Sequence, residues 1–421
     1  MWSIWVYFQV FLLVPVIEYF QIGIVLVISL LYSQDYPKHA NVLDGQSFDF
    51  IIVGAGTAGC VLANRLTEEE NWSVLLIEAG DDPPYATEIP GVSVLMGPTF
   101  PNWGYNTIDD KYASQALKTK NIRLIQGKML GGTSNVNYMY HVRGNKEDFD
   151  NWKNQGNFGW DWNTVINYFK KSEKFNEPDL MRNCVQSLHG TDGYLGITKP
   201  KNKELTIKIF DALKENGHDI IKDINGHQQL GYSVPNYNIY NKRRQSGSLA
   251  FIKPIVKRRN LYVLKGTMAT KIILKNNKAI GVTIKESNNL IKNLYARKEI
   301  IISAGSINSP QLLMLSGIGP EKHLGEFGIE TKVNIPNVGS NLQDHMLVPI
   351  IISGGNETYF TDNFELLTNL DKFPVTTIMG LVALDENQRY PDYQVTSITL
   401  PVGSLLPTLM CTQIFRWNDE V

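Results

Sequence analysis

Residues 48–78 constrain the fold more tightly than any other part of the chain. Phe48–Val53 (FDFIIV) is a short apolar run of strand-forming residues, and Gly54-Ala55-Gly56-Thr57-Ala58-Gly59 follows at once. Cys60–Glu70 then reads as a helix, with Ala58, Val61, Leu62 and Leu66 on one face. A second strand, Ser73–Ile77 (SVLLI), ends at Glu78, 24 residues after Gly54. Strand, glycine turn, helix, strand and acid in this order form a dinucleotide fingerprint in its required setting. Gly54 permits the tight turn, Gly56 lets backbone approach a pyrophosphate, and Gly59 lets helix and strand pack closely. The helix N-terminus offers unpaired N–H groups and a partial positive charge to phosphates. The Glu78 carboxylate is placed to accept hydrogen bonds from ribose hydroxyls. These residues predict an adenine dinucleotide but do not choose between FAD and NAD.

Composition narrows the class. The chain has 421 residues, with 40 Lys+Arg against 41 Asp+Glu, so no basic excess points to a nucleic acid partner. Three cysteines (Cys60, Cys184 and Cys411) allow at most one internal bridge and have no metal-binding spacing. Met1–Tyr32 carries one charged side chain, Glu18, between two apolar runs. It reads as a secretory signal, with a retained membrane anchor or a misassembled start as alternatives. Two N-x-[ST] sequons, at Asn71 and Asn356, agree with secretion.

A second glycine cluster, Gly127–Asn137 (GKMLGGTSNVN), is a poor helix and a poor strand. It reads as a loop whose N–H groups face a ligand, or as a plain surface turn; Asn135 and Asn137 could bond a polar heterocycle edge. Lys298–Ser303 reads as a buried strand ending in Ala304-Gly305, small residues where doubly wound sheets bind ligands. Close strand–helix packing alone would also explain that pair. Pro310 is expected in the first turn of the following helix.

The stretches FDFIIVGAGTAGCVLANRL, IEAG, NWGYNT, GKMLGGTSNVNYM, VRGNKEDFDNW, HGTDGYL, ISAGSINSPQLLMLSGIGP and VGSNLQDH occur in that order. Over Phe48–His345 the chain resembles the glucose–methanol–choline (GMC) oxidoreductases, insect-type members above all. The resemblance implies an α/β fold: an FAD-binding, Rossmann-like doubly wound domain with an interleaved, incomplete α+β substrate domain. FAD-binding segments fall at about 48–150 and 255–345, an intervening segment at 151–254, and the start of the substrate domain at 346–421.

The implied cofactor is FAD. Gly54, Gly56, Thr57, Ala58 and Gly59 are the expected pyrophosphate site, and Glu78 the ribose site. Lys128, Leu130, Gly131, Gly132, Thr133, Asn135 and Asn137 are expected along the flavin ring and ribityl chain. Ala269, on an expected strand Asn260–Ile273, stands where the family's usual valine meets the adenine; Ala304 and Gly305 are expected near the adenosine half. The implied reaction is oxidation of an alcohol, sugar or steroid CH–OH group by hydride transfer to the flavin, with a quinone or oxygen as electron acceptor. No nucleic acid is involved, and a membrane only through residues 1–32. The family's proton-accepting histidine lies nearer the C-terminus than this chain reaches, so the resemblance implies a truncated product and assigns no catalytic residue. A non-catalytic FAD-binding product is the alternative; an NAD-dependent dehydrogenase leaves the Lys128–Asn137 loop unexplained. His141 stands where the family usually has an aromatic residue, and reads as a hydrogen-bonded, partly buried histidine.

Elsewhere, Trp152, Trp160, Trp162, Tyr168 and Phe169 read as core, and Lys199–Gly217 as an amphipathic helix. The runs Lys242-Arg243-Arg244 and Lys257-Arg258-Arg259 read as solvated faces. Strands are expected at Leu261–Leu264 and Ala279–Ile284, with a turn at 275–278.

Overall fold

The computed structural model describes residues 36–96, 99–175, 177, 187–201, 204–345, 347–351, 376–385, 387–399 and 411–416. The expected signal or anchor at 1–32 lies outside them, as do Cys184 and the sequon at Asn356. Among the described residues no helix is long and apolar enough to cross a membrane.

The principal elements are β1 (Ser47–Val53), α1 (Thr57–Leu66), β2 (Val74–Ile77), α2 (Pro90–Met96), α3 (Lys146–Asn154), α4 (Trp162–Ser172), α5 (Glu204–Glu215), β3 (Gly231–Ser233), β4 (Leu261–Leu264), β5 (Thr267–Lys275), β6 (Lys278–Glu286), β7 (Ile291–Ile302), α6 (Gly305–Leu315), β8 (Val348–Ile351), β9 (Thr376–Val382), β10 (Tyr393–Thr399) and β11 (Cys411–Arg416). A six-stranded sheet runs β4-β2-β1-β7-β6-β5. Its β4, β2, β1 and β7 are parallel; β6 and β5 add an antiparallel edge.

The sequence dictates this sheet because β1 and β2 are apolar on both faces, as a strand covered on both sides must be. Phe50, Ile52, Val74, Leu76 and Val263 pack on one face with Cys60 and Ala63 of α1. Phe48, Ile51, Val53, Leu75, Ile77 and Leu264 pack on the other with Leu312 of α6. Each fully buried Ile or Leu here contributes about 1.5–3 kcal/mol. Helices on both faces of a largely parallel sheet confirm the expected Rossmann-like architecture. A five-stranded antiparallel sheet, β8-β11-β10-β9-β3, joins four strands after residue 347 to β3 from the segment between β2 and β4.

Several expectations shift. The strand expected over Asn260–Ile273 divides at Gly266, whose φ of +57° turns the chain from β4 into β5. The turn at 275–278 is correct and joins β5 to β6, with Asn276 and Asn277 both left-handed, as a tight hairpin requires. Pro310 sits inside α6, not in its first turn, because Gly305 already opens the helix. α5 spans Glu204–Glu215 and buries Phe210, while Ile207 faces outward. The tryptophan-rich stretch is not uniformly core. Phe149 is buried against Trp152, Trp162 and Phe169, but Trp152, Trp160 and Tyr168 are exposed. The solvated reading of the first basic run also fails at Arg244, which is 1% exposed. In the second run Arg258 bonds Asn64 O and Thr67 Oγ1, while Lys257 and Arg259 are exposed.

Candidate nucleotide-binding site

The three fingerprint glycines have different physical jobs. Gly54 has φ +96°, and a Cβ there would lie 2.5 Å from Ser303 O. A Cβ on Gly59 would lie 2.0 Å from Gly54 O. Both positions are glycine because backbone crowds them, which is the close turn and close packing expected. Gly56 differs. Its backbone is extended (φ −70°, ψ −167°), and a Cβ would meet nothing within 4 Å among the described residues. No packing among the described residues requires glycine there.

Gly56 is also the N-cap of α1, with no side-chain cap and no acidic residue in the first turn. Thr57 and Ala58 are exposed. The N–H groups of that turn lie at the C-terminal ends of β1 and β2, where open α/β sheets take ligands, with no side chain capping them.

Glu78 caps β2 and is 6% exposed. Its carboxylate accepts from Ala55 N–H at 3.0 Å and Gly80 N–H at 2.9 Å, so it braces the glycine turn from below. Each oxygen keeps a lone pair for a hydroxyl donor. Burial pushes its pKa up to about 7, against the pull of the Gly80 and Ala55 amides and the Lys128 ammonium.

The second glycine cluster meets the first. Gly131 N–H donates to Ala55 O at 2.7 Å, Leu130 N–H to Asp81 O at 2.9 Å, and a Cβ on Gly132 would lie 2.9 Å from Gly56 Cα. Gly131 and Gly132 have φ +95° and +55°, which explains the paired glycines. The plain surface turn is thus excluded for Leu130–Gly132, which are buried against the first motif. Lys128 stands with its ammonium over the Trp103 ring at 4.9 Å. Thr133 is engaged within the loop, Oγ1 donating to Gln126 Oε1 at 3.0 Å. Asn135 is wholly buried; Nδ2 donates to Leu130 O at 2.8 Å and Oδ1 has no partner among the described residues. Asn137 is exposed, yet its Oδ1 accepts from Arg244 at 2.7 Å and Met139 N–H at 3.1 Å.

Ser303 closes the group, with N–H donating to Val53 O and Oγ to Gly54 O, both at 2.8 Å. Ala304 and Gly305 follow at the same sheet edge. Gly305 is exposed with φ +85° and, among the described residues, nothing lies within 4 Å of its Cβ position, so close packing there does not explain it. Ala269 stands apart. It lies on β5 opposite Ile284 and packs into the core on the α6 face. Its strand reaches the site only at its start, where Thr267 N–H donates to Glu78 O and Gly266 N–H to Gly80 O.

His141 does not enter the site as a free base. Its Nδ1 faces Asn238 Oδ1 at 3.0 Å and its Nε2 faces Glu173 Oε1 at 2.8 Å. Glu173 also holds Arg143 and His189, and His189 Nε2 meets Asp223 Oδ2 at 2.8 Å. Burial opposes the charge on Glu173, but His141, His189 and Arg143 together hold its carboxyl well below the usual range.

The residue the sequence reading missed is Arg244, hidden within a run of three cations. Its guanidinium grips the second loop at Ser134 O (3.0 Å) and Asn137.

The GMC oxidoreductase family model matches residues 48–347. Ecdysone oxidase of Spodoptera littoralis is 34% identical over 404 residues, covering 93% of this chain and 67% of that protein. Ecdysone oxidase of Bombyx mori is 34% identical over 412 residues, covering 93% and 61%. Glucose dehydrogenase [FAD, quinone] of Drosophila melanogaster is 37% identical over 320 residues, covering 75% and 49%. The chain thus spans about half to two thirds of the length of these relatives. Among solved structures, an FAD-dependent oxidoreductase from Chaetomium thermophilum superposes with a TM-score of 0.76 at 26% identity, covering 88% of this chain and 74% of that one. Pyridoxine 4-oxidase from Mesorbium loti does so with a TM-score of 0.73 at 25% identity, covering 88% and 71%. With the fingerprint geometry and both glycine loops in register, the chain belongs to the GMC oxidoreductase family.

Proposed function

We propose that this chain is an FAD-binding oxidoreductase that oxidises CH–OH groups of alcohols, sugars or steroids. The single observation that carries the cofactor reading is Gly56: an uncapped helix N-terminus with open space where a side chain would stand. The residues fit FAD. Gly54–Gly59 and the first N–H groups of α1 hold the pyrophosphate, and Glu78 accepts from the adenosine ribose. Lys128–Asn137 lines the flavin, its Asn135 oxygen left for a donor. Ala304 and Gly305 flank the adenosine half, and the start of β5 at Thr267, not Ala269, lies nearest the adenine. Segments 48–150 and 255–345 form the FAD-binding part.

FAD, when bound, supplies the acceptor for the hydride leaving the carbinol carbon. The alcohol proton needs a positioned base as well. Of the described histidines, His141 and His189 are tied into the Glu173 network, and His323 pairs with Glu326. We assign no catalytic residue. The insect relatives named above favour a sugar or an ecdysteroid donor with a quinone or oxygen acceptor, and residues 1–32 favour secretion or anchoring. A non-catalytic, FAD-retaining protein is the second reading.

The test is expression from about residue 33 onward, followed by visible absorbance and substrate turnover. Bound flavin with turnover supports the catalytic reading, and flavin without turnover supports the second. A colourless protein that takes up no FAD refutes both.

A further inference from the structure

Arg244 is the most deeply buried cation of the chain's basic runs, yet no carboxylate pairs with it among the described residues. Nε donates to Thr87 O at 2.9 Å, Nη1 to Ser134 O at 3.0 Å and Asn137 Oδ1 at 2.7 Å, and Nη2 to Asn137 O at 2.8 Å and Ser93 Oγ. All these acceptors are neutral. The nearby acid, Glu88, is taken by Arg243 (3.5 Å) and by Tyr36 Oη (2.9 Å). Buried charges are ordinarily paired, because an uncompensated one is costly to take out of water. Five donated hydrogen bonds satisfy the guanidinium without cancelling its charge. That charge sits directly behind the second glycine loop, and Gly247 N–H, three residues on, donates to Ser134 Oγ at 2.8 Å.

We propose that Arg244 is a positioning residue for the flavin. It pins Ser134–Asn137 in place, and its uncompensated charge favours the reduced cofactor. The inference rests on the FAD reading above. Uptake of two electrons and one proton leaves one added negative charge on the isoalloxazine ring. A fixed cation in a low-dielectric surround favours that form without moving. The fork geometry and the charge are separable, because lysine keeps the charge but cannot span both sides of Asn137.

The experiment compares the wild-type chain with Arg244→Lys and Arg244→Met, measuring FAD affinity by fluorescence titration and midpoint potential by dye-coupled reductive titration. Both variants should bind FAD at least tenfold more weakly. Arg244→Met should also lose about tenfold of its preference for reduced over oxidised flavin, a fall of about 30 mV for this two-electron couple. Arg244→Lys should keep the wild-type potential. If Arg244→Met does not fold, Ser93→Asp sets a carboxylate against the guanidinium from the far side of the loop, and the same fall is expected. Unchanged affinity and potential in Arg244→Met overturn the proposal. Equal potentials in the Lys and Met variants overturn its electrostatic half. A wild-type chain that takes up no FAD overturns the FAD reading itself, which separates that failure from failure of the present inference.

Discussion

The two glycines that bracket the first turn of α1 give the sharpest perturbation. In Gly56→Ala the new Cβ meets nothing within 4 Å among the described residues, and φ −70°, ψ −167° is open to any L-residue. Loss of a glycine N-cap costs about 1 kcal/mol. The reduced freedom of the unfolded chain returns about 0.4–1 kcal/mol. The FAD-free variant should therefore match the wild type in urea unfolding to within about 1 kcal/mol. Its FAD affinity should fall ten- to a hundredfold, about 1.4–2.8 kcal/mol, because the methyl group stands where backbone must approach the phosphates. Gly59→Ala is the mirror case. Its Cβ would sit 2.0 Å from Gly54 O and 2.8 Å from Ser303 Oγ, so backbone must move, at a cost of about 1–3 kcal/mol in folding. The assays are far-UV circular dichroism in urea and fluorescence titration with FAD. A Gly56→Ala chain that binds FAD as tightly as wild type, or that unfolds as readily as Gly59→Ala, would refute the assignment.

The buried polar groups set four further outcomes. Glu78 has its pKa raised by burial, so the protonated carboxyl favours the fold: its contribution is whole below the ordinary glutamate value and is lost as pH rises through about 7. The FAD-free chain should lose about 3 kcal/mol from this group between pH 4 and 8, seen as a falling Tm. Glu78→Gln should flatten that slope while costing about 1–3 kcal/mol at pH 5, since one of the Ala55 and Gly80 amides loses its acceptor. Glu173 has the opposite sign. Its lowered pKa stabilises the fold above the ordinary glutamate value, and the contribution disappears as pH falls. Facing it are His141, Arg143 and His189, with Asp223 beyond, and His189 has its pKa raised by Asp223 and Glu173 against the effect of burial. Glu173→Gln should cost about 3–5 kcal/mol in urea unfolding at pH 7 by leaving Arg143 buried without its carboxylate. His141→Phe, which restores the aromatic residue expected there, should leave FAD affinity within twofold of wild type in the same titration.

What was legible in the sequence was local and covalently ordered. The run from Phe48 to Glu78 announces its own fold because turn, helix and acid are neighbours along the chain; the structure keeps all three, though the helix expected at Cys60–Glu70 spans Thr57–Leu66 and buries Cys60 and Ala63 more deeply than Val61, Leu62 and Leu66. The hairpin at Asn276-Asn277 was readable for the same reason: both residues tolerate a left-handed backbone. What failed depended on partners far away in sequence. Arg244 belongs to a charge run that looks solvated until Thr87, Ser93 and Asn137 fold around it. Trp152 and Trp160 look like core by composition, but α3 and α4 leave them on an outer face. The division of Asn260–Ile273 turns on a single positive-φ glycine, a feature that β-propensity averages away. The Lys128–Asn137 loop was legible as a loop, but its contact with Ala55 and Gly56 was not, because no local pattern records a docking partner.

The claim on which the rest depends is that the turn at Gly54–Gly59, with Glu78, holds the adenosine diphosphate half of FAD. The direct measurement is calorimetric titration of the FAD-free chain with FAD, ADP and FMN. One-to-one binding of FAD, displacement of FAD by ADP, and no competition from FMN are the predicted results. A chain that binds FMN as tightly as FAD, or in which ADP fails to displace FAD, would contradict the assignment.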